Sequence, residues 1–412
     1  MEIAHVLRKF EAKAWGGTET HVAEVCARAP AQGVRCSVFA PGPPQAATEQ
    51  IGGVPVERYG VLCPYLATPQ VRRGLVAVGG NLVSLDLPAR LLRRAPSLIH
   101  VHTGRRIAGA AALAASLEDI PLVLSVHGPL LADQEIAAQE TRRRAGRALD
   151  LGQPFGWLVG AREVLRRASR VICFNEREQR ALASLVGDRA VRMDHGVDVR
   201  RLRAGDADRA RARWPALRQG PSVVVLGRLC EQKNQLLALR AFAAGAPGGR
   251  LLLAGAETDQ GYRARIEAEA RSLGVRDRLE FLGNIDPIGE VPDLLAAADV
   301  ALVPSLHEAF GIVVVEAWAA GVPALFARSS GTEDLASALQ CPDAAPEGYL
   351  VEAWGDALRS LLADPGRRRA LQQRAGALVD RRFGWDRVVA SLADLYRQIV
   401  EEQRLSFAEG WT

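Results

Sequence analysis

Pro304-Ser-Leu-His-Glu-Ala-Phe-Gly-Ile-Val-Val-Val-Glu-Ala-Trp-Ala-Ala-Gly-Val-Pro323 is the stretch that decides the fold. Asp299-Val-Ala-Leu-Val303 runs into it, apolar and short enough to be a buried strand of a parallel sheet. Ala324-Leu-Phe-Ala327 leaves it as a second such strand. Between them a turn leads into an Ala/Trp/Val-rich helix that stops at Gly321, ahead of Pro323. Strand, loop, helix and strand make one βαβ unit. Glu308 in the loop and Glu316 in the helix fall at the C-terminal end of the first strand, where open α/β sheets take their ligands. Gly311 at the helix start lets a ligand approach free backbone N–H groups. Two acids about two helical turns apart can accept hydrogen bonds from two parts of one polyhydroxylated ligand. The plainer alternative is a pair of solvated surface glutamates, against which the apolar neighbours of Glu316 weigh.

Working outward, 412 residues are long for one core and indicate two domains. With 48% hydrophobic and 24% charged residues the chain reads as an ordinary globular protein. No run of apolar residues is long enough to span a membrane, and Met1-Glu-Ile-Ala-His5 enters a strand without the features of a signal peptide. Cys26, Cys36, Cys63, Cys173, Cys230 and Cys341 are scattered without zinc spacing, as reduced cysteines of a cytoplasmic protein are. The formal charge of +5 is carried by arginine almost alone, the lysines being Lys9, Lys13 and Lys233. Basic residues and aromatics do not interleave, so nucleic acid is not an expected partner.

From the N-terminus, strands are expected at Ile3–Leu7, Val34–Ala40, Val54–Tyr59 (an edge, because of Pro55), Leu98–His102, Leu122–Val126 and Arg170–Phe174, alternating with helices. Gly16-Gly17 closes the loop after the first strand, where a phosphate could approach; a plain turn fits as well. His100, His102 and His127 fall at strand ends, the latter two on the ligand side, and structural histidines are the alternative reading. The three lack a cysteine or carboxylate at ligand spacing, so no metal is expected. The insert between His127 and Arg170 carries Arg142, Arg143, Arg144, Arg147, Arg162, Arg166 and Arg167. A solvated helix face is favoured there over a surface for an anionic acceptor or lipid headgroups. The polar run 201–220, with Asp206-Ala-Asp208, reads as a solvated linker. A second α/β series then starts at Ser222–Leu226, followed by Arg228 and Lys233, which can converge on one anion such as a diphosphate. Strands ending in Gly255 and Gly283 follow, and the chain closes with helices and a long amphipathic segment after Phe383-Gly-Trp385.

Gly16-Gly17-Thr18-Glu19, His127-Gly128, Gly196-Val197-Asp198, Gly227-Arg228-Leu229 with Lys233, Glu308-x7-Glu316 with Phe310-Gly311, Gly321-Val-Pro323 and Phe383-Gly-Trp385 together resemble the retaining glycosyltransferases of family 4. Each motif is weak alone; the ordered set spans nearly the whole chain and is specific. The resemblance implies the α/β GT-B fold, two Rossmann-like domains with parallel sheets facing a central cleft. Residues 1–200, completed by a C-terminal helix at about 386–412, would bind the acceptor, and 221–385 the donor, joined by 201–220.

It also implies roles. Arg228 and Lys233 would hold the donor's diphosphate and stabilise its developing charge. Glu308 would take sugar hydroxyls, helped by the backbone of Ala309, Phe310, Gly311 and Ile312, and Glu316 the ribose hydroxyls. Gly16, Gly17 and Gly283 would line the donor, His127 would lie beside its sugar, and His102, Thr103 and Arg143 would meet the acceptor. The implied reaction is transfer of a hexosyl unit from a nucleotide-diphosphate sugar, UDP favoured, to a hydroxyl acceptor. It would proceed with retention and with neither metal nor cofactor. Peripheral membrane contact is not favoured. Two departures touch donor-side loops: His195 stands where the family often has Asn, and Ser330-Gly331-Thr332-Glu333 where it often has Gly-Gly-x-x-Glu. An epimerase or phosphorylase on the same fold and a non-catalytic nucleotide-sugar-binding protein are the alternatives.

Overall fold

The computed structural model describes residues 1–11, 16–43, 48–77, 80–127 and 149–409. The chain divides into two compact units: Met1–Met193 with Asp386–Thr412, and Asp194–Trp385.

In the first unit the strands are β1 (Glu2–Val6), β2 (Arg35–Pro41), β3 (Glu49–Ile51), β4 (Val54–Tyr59), β5 (Tyr65–Leu66), β6 (Leu98–Val101), β7 (Leu122–Ser125), β8 (Leu149–Asp150), β9 (Arg170–Cys173) and β10 (Ala190–Arg192). Among the described residues, eight of them form a sheet in the order β10-β9-β7-β6-β1-β2-β4-β3, while β5 and β8 pair separately. Every pairing in the large sheet is parallel except β3 with β4. The central strands are buried on both faces, which is why Ile-Ala-His-Val and Leu-Val-Leu-Ser are mostly apolar, with His5 and Ser125 as buried polar exceptions. The expected edge at β4 is corrected: short, polar β3 covers it, and Pro55 is paired with Gln50. The helix Arg105–Leu117 buries a near-continuous face of alanines on this sheet. Val388, Val389, Leu392, Tyr396 and Ile399 of the C-terminal helix Trp385–Glu409 are buried at three- and four-residue spacing. That helix belongs to the first unit, tied by Tyr396 Oη to His100 Nδ1 at 2.5 Å and by Arg170 to Glu402 at 2.7 Å.

The second unit holds β11 (Ser222–Leu226), β12 (Arg250–Ala254), β13 (Leu279–Gly283), β14 (Val300–Val303) and β15 (Ala324–Phe326), all parallel, in the order β13-β12-β11-β14-β15. Trp318, Trp354, Phe242 and Phe326 are fully buried in it. The helices Gln235–Gly245 and Val351–Ala363 pack so closely that a Cβ on Gly245 would lie 2.2 Å from the carbonyl oxygen of Gly355.

The linker expected at 201–220 is not one. It forms the helices Val199–Arg203 and Ala207–Arg213 and a 3-10 turn, with Leu202, Ala210, Trp214 and Leu217 buried within the second unit. Asp206 caps the second helix, accepting from the N–H groups of Asp208 and Arg209, and Asp293 receives the N–H of Asp206 and the guanidinium of Arg209. Among the described residues no helix is long and apolar enough to cross a membrane.

Candidate functional site

In the second unit the strand order reverses between β11 and β14. The crevice at the C-terminal ends of two strands that diverge this way is where α/β sheets bind ligands. The chain leaves β11 through Gly227, whose φ of +143° is closed to ordinary residues. It passes exposed Arg228 and makes a short 3-10 turn, Glu231–Lys233. It leaves β14 into the loop that carries Glu308. The two loops meet there: Lys233 Nζ donates to Glu308 Oε1 at 2.6 Å, both side chains being mostly buried. Gln232 connects the rest, its amide donating to the His307 carbonyl at 3.0 Å and accepting from Arg228 at 3.3 Å. Gln235 fixes the turn by donating to the Arg228 carbonyl at 2.8 Å.

Beyond Glu308, Ala309 is half-buried and Phe310 buried, and Gly311 begins the helix Ile312–Ala319 with φ +90°. A Cβ at Gly311 would sit 2.7 Å from Thr332 Cγ2, so both conformation and space call for glycine. The N–H groups of Ile312 and Val313 open that helix a few residues after Glu308, where a helix has no intrahelical acceptors to offer, whereas the N–H of Val314 is already taken by the Gly311 carbonyl at 2.9 Å. Glu316, two turns on, is half-buried; loss of water pushes its carboxyl up to about 7, against the pull of Arg201. Gly283 ends β13 with φ +70° and open space where a side chain would be.

Both departures from the family pattern have a local cause. His195 is buried between Trp385 and Phe310, ring centroids 5.2 and 5.8 Å away, and Phe310 in turn meets Phe383 edge-on. Burial takes its imidazole down to about 4, so it is a neutral packing ring behind the Phe310-Gly311 loop. Gly196 is required because a Cβ there would lie 2.3 Å from the Trp385 ring. In the second departure Gly331 is the residue that matters: its Cβ would fall 2.3 Å from the backbone of Ala309. Ser330 Oγ donates to the Glu308 carbonyl at 3.1 Å, so this loop braces the acid from behind.

In the first unit the strand order reverses between β1 and β6. Gly16 and Gly17 start the helix Gly17–Arg28, and the Gly16 N–H is held by the buried Glu19 carboxylate at 2.9 Å. Half-buried Thr103 follows β6, and His102 there is buried. His102 and His127 are in contact, 2.9 Å between Nδ1 and Nε2. His127 stacks on Phe174 and meets His21 edge-on. Arg143, like Gly128, Arg142, Arg144 and Arg147, lies outside the described residues. Sequence spacing kept the histidines apart from any cysteine. The fold brings Cys26 and Cys36 to within 4.8 Å of His5, and His5, His100 and His102 within the same reach of one another, two groupings among the described residues that could geometrically hold a metal. Sequence reasoning passed over His5, Gln232 and Gln235. For His5 the signal was present, since Ile3-Ala-His-Val6 and Leu98-Ile-His-Val101 are near-copies and are register partners.

Comparison with known proteins supplies the family. Residues 15–201 match the family model Glycosyltransferase Family 4, and residues 206–377 match Glycosyl transferases group 1. The D-inositol 3-phosphate glycosyltransferase of Xylanimonas cellulosilytica is 30% identical over 320 residues, 74% of this chain and 72% of the relative. The protein of the same name from Rhodococcus erythropolis is 31% identical over 362 residues, covering 81% of this chain and 78% of its own. The crystal structure of Anabaena Alr3699/HepE in complex with UDP and glucose superposes with a TM-score of 0.72 at 19% identity, covering 97% of this chain and 100% of that one. This last likeness establishes the fold, GT-B.

Proposed function

Because the chain belongs to the group 1 glycosyltransferases of family 4, we propose that it moves a hexosyl unit from a UDP-hexose to a hydroxyl acceptor, retaining the anomeric configuration and using no metal. Transfer of a sugar from a nucleotide-sugar donor is the activity common to that family. The ion pair between Lys233 and Glu308 at the β11/β14 reversal is the observation that carries the finer reading.

An ammonium has three N–H donors, so Lys233 can keep Glu308 and still reach a diphosphate oxygen. Arg228, exposed at the end of β11, would approach the same anion. As the glycosidic bond breaks, negative charge grows on the leaving diphosphate, and cations already in place stabilise that charge more than the ground state. Glu308, neutralised by Lys233, suits sugar hydroxyls as a hydrogen-bond acceptor and is a poor nucleophile. That favours front-face attack, in which the leaving phosphate takes the acceptor's proton, over a covalent glycosyl-enzyme. The N–H groups at the start of the helix after Gly311 would face the donor, and Glu316 its ribose. His127, at the end of β7, would contact the donor sugar. The name shared by the two curated relatives makes inositol 3-phosphate the first acceptor to offer.

The test is a thermal-shift series with UDP, GDP, ADP and their hexose conjugates, followed by NMR of the anomeric proton in the product. A ligand present at about 100 times its Kd adds about 2.7 kcal/mol to the native state. The UDP series is expected to raise the melting temperature, and the product to keep the donor's configuration. An inverted product, or folded protein indifferent to every nucleotide, would refute the proposal.

A further inference from the structure

The first βαβ unit of the chain gathers three metal-ligating side chains around one point. His5 comes from β1, Cys26 from the helix Gly17–Arg28 and Cys36 from β2, and their ligand atoms lie within 4.8 Å of one another. The strand register places two of them. Ile3 pairs with Cys36 and His5 with Val38, so His5 and Cys36 are diagonal neighbours on one face of the sheet. The crossover helix brings Cys26 to the same point. His5 is fully buried, Cys26 is buried and Cys36 is half-buried.

The three groups engage one another. Hydrogen bonds with Cys26 and, less, with His5 draw the Cys36 thiol down to about 5 against its own burial. The other nitrogen of His5 is occupied elsewhere: Nδ1 lies 2.9 Å from His102 Nε2, in a row that continues from His102 Nδ1 to His127 Nε2. A ligating histidine is commonly held in this manner, its second ring nitrogen donating to a neighbouring acceptor. The grouping of His5, His100 and His102 is the weaker of the two, because its nitrogens are already engaged. Tyr396 and Ser125 hold His100, and His127 and His5 hold His102. A metal there would break those contacts, whereas at the sulfurs it replaces only the protons that the three groups share.

We propose that His5 Nε2, Cys26 Sγ and Cys36 Sγ bind one zinc ion that pins the helix Gly17–Arg28 to the sheet. The donor set and the charge both select zinc. Thiolate and imidazole suit it, whereas calcium and magnesium take oxygen. Two thiolates neutralise a divalent ion, while copper(I) would leave one negative charge buried in the unit. Water beside half-buried Cys36 supplies the fourth ligand. The ion holds the fold and takes no part in transfer, so the inference stands apart from the proposed reaction.

The experiment takes the full-length protein, reduced and stripped of metal by a chelator, and titrates it with cobalt(II) and then zinc. Expected are one ion per chain, a thiolate-to-cobalt charge-transfer band in the near ultraviolet, its loss when zinc displaces cobalt, and a melting temperature raised by zinc. Cys26→Ala/Cys36→Ala is expected to lose both the band and the thermal shift. Cys36→Ala, which removes only the half-buried ligand, takes its place if the double variant does not fold. Should neither fold, the wild-type outcomes decide. A wild-type chain without the charge-transfer band overturns the proposal, and so does a melting temperature that zinc leaves unchanged. Equal uptake by wild type and variants overturns it too, since the metal would then sit elsewhere. A Cys26–Cys36 disulfide that forms in the presence of zinc, found by peptide mapping, would make the two sulfurs a redox pair and end the zinc assignment.

Discussion

Replacing Lys233 with Met keeps most of the stem and removes the charge that Glu308 faces. The pair is separated by 2.6 Å, with 17% of the lysine and 13% of the glutamate side chain exposed. Stranding one partner of a fully buried pair costs about 3–5 kcal/mol, whereas an exposed pair contributes about 0–1 kcal/mol. A mostly buried pair at a crevice falls between, so Lys233→Met is expected to lose about 2 kcal/mol of unfolding free energy. The effect on chemistry should be larger, because a preplaced donor at developing charge is worth roughly 100- to 1,000-fold in kcat. The double variant Lys233→Met/Glu308→Gln separates the two effects. With no charge stranded, its stability should return to within about 1 kcal/mol of the parent, while turnover stays low. Urea unfolding followed by tryptophan fluorescence reads the first quantity, and release of nucleotide diphosphate the second. A Lys233→Met enzyme within about threefold of the parent in kcat/KM would refute the reasoning. So would a double variant that regains turnover, since Lys233 would then serve Glu308 alone.

Two further outcomes follow from the same loops. Gly311→Ala forces a side chain into φ +90° and against Thr332 and Leu335, so it should cost about 1–3 kcal/mol in urea unfolding and weaken nucleotide binding; equal stability would contradict the close packing seen there. Glu316 has its carboxyl raised from 4.5 to about 7 in the folded chain. The fold therefore binds that proton more tightly than the unfolded chain does, and the stability it adds is complete below about 4.5 and lost as pH rises through 7. Between these limits the parent should lose on the order of 3 kcal/mol relative to Glu316→Gln, and parallel pH profiles would rule the assignment out.

Strands of a parallel sheet are buried on both faces, so Ser222–Leu226, Arg250–Ala254 and Ala324–Phe326 could be read from their apolar runs alone. Polar Glu49-Gln-Ile51 could not, because it becomes a strand only by covering β4. The misread segment 201–220 held a usable signal that its charge concealed. Leu202, Ala210, Trp214 and Leu217 are its apolar anchors, and its arginines and aspartates are caps and partners, such as Asp206 with Arg209 and Arg209 with Asp293.

The donor loops were legible for a different reason: each follows a strand directly, and the rule about reversals of strand order says where such loops meet. Lys233 and Glu308 are far apart in the chain, yet they come together because β11 and β14 are neighbours at that reversal. The same rule applied to the first unit singles out the ends of β1 and β6, and there the histidine row lies. What sequence lacked was the register. A shift of one residue between β1 and β6 would turn His5 to the other face of the sheet and break its contact with His102, with the composition and motifs of both strands unchanged. Residue type and position after a strand therefore suffice to find a donor loop, but a contact between buried rings on neighbouring strands is a property of pairing and becomes visible only when the pairing is known.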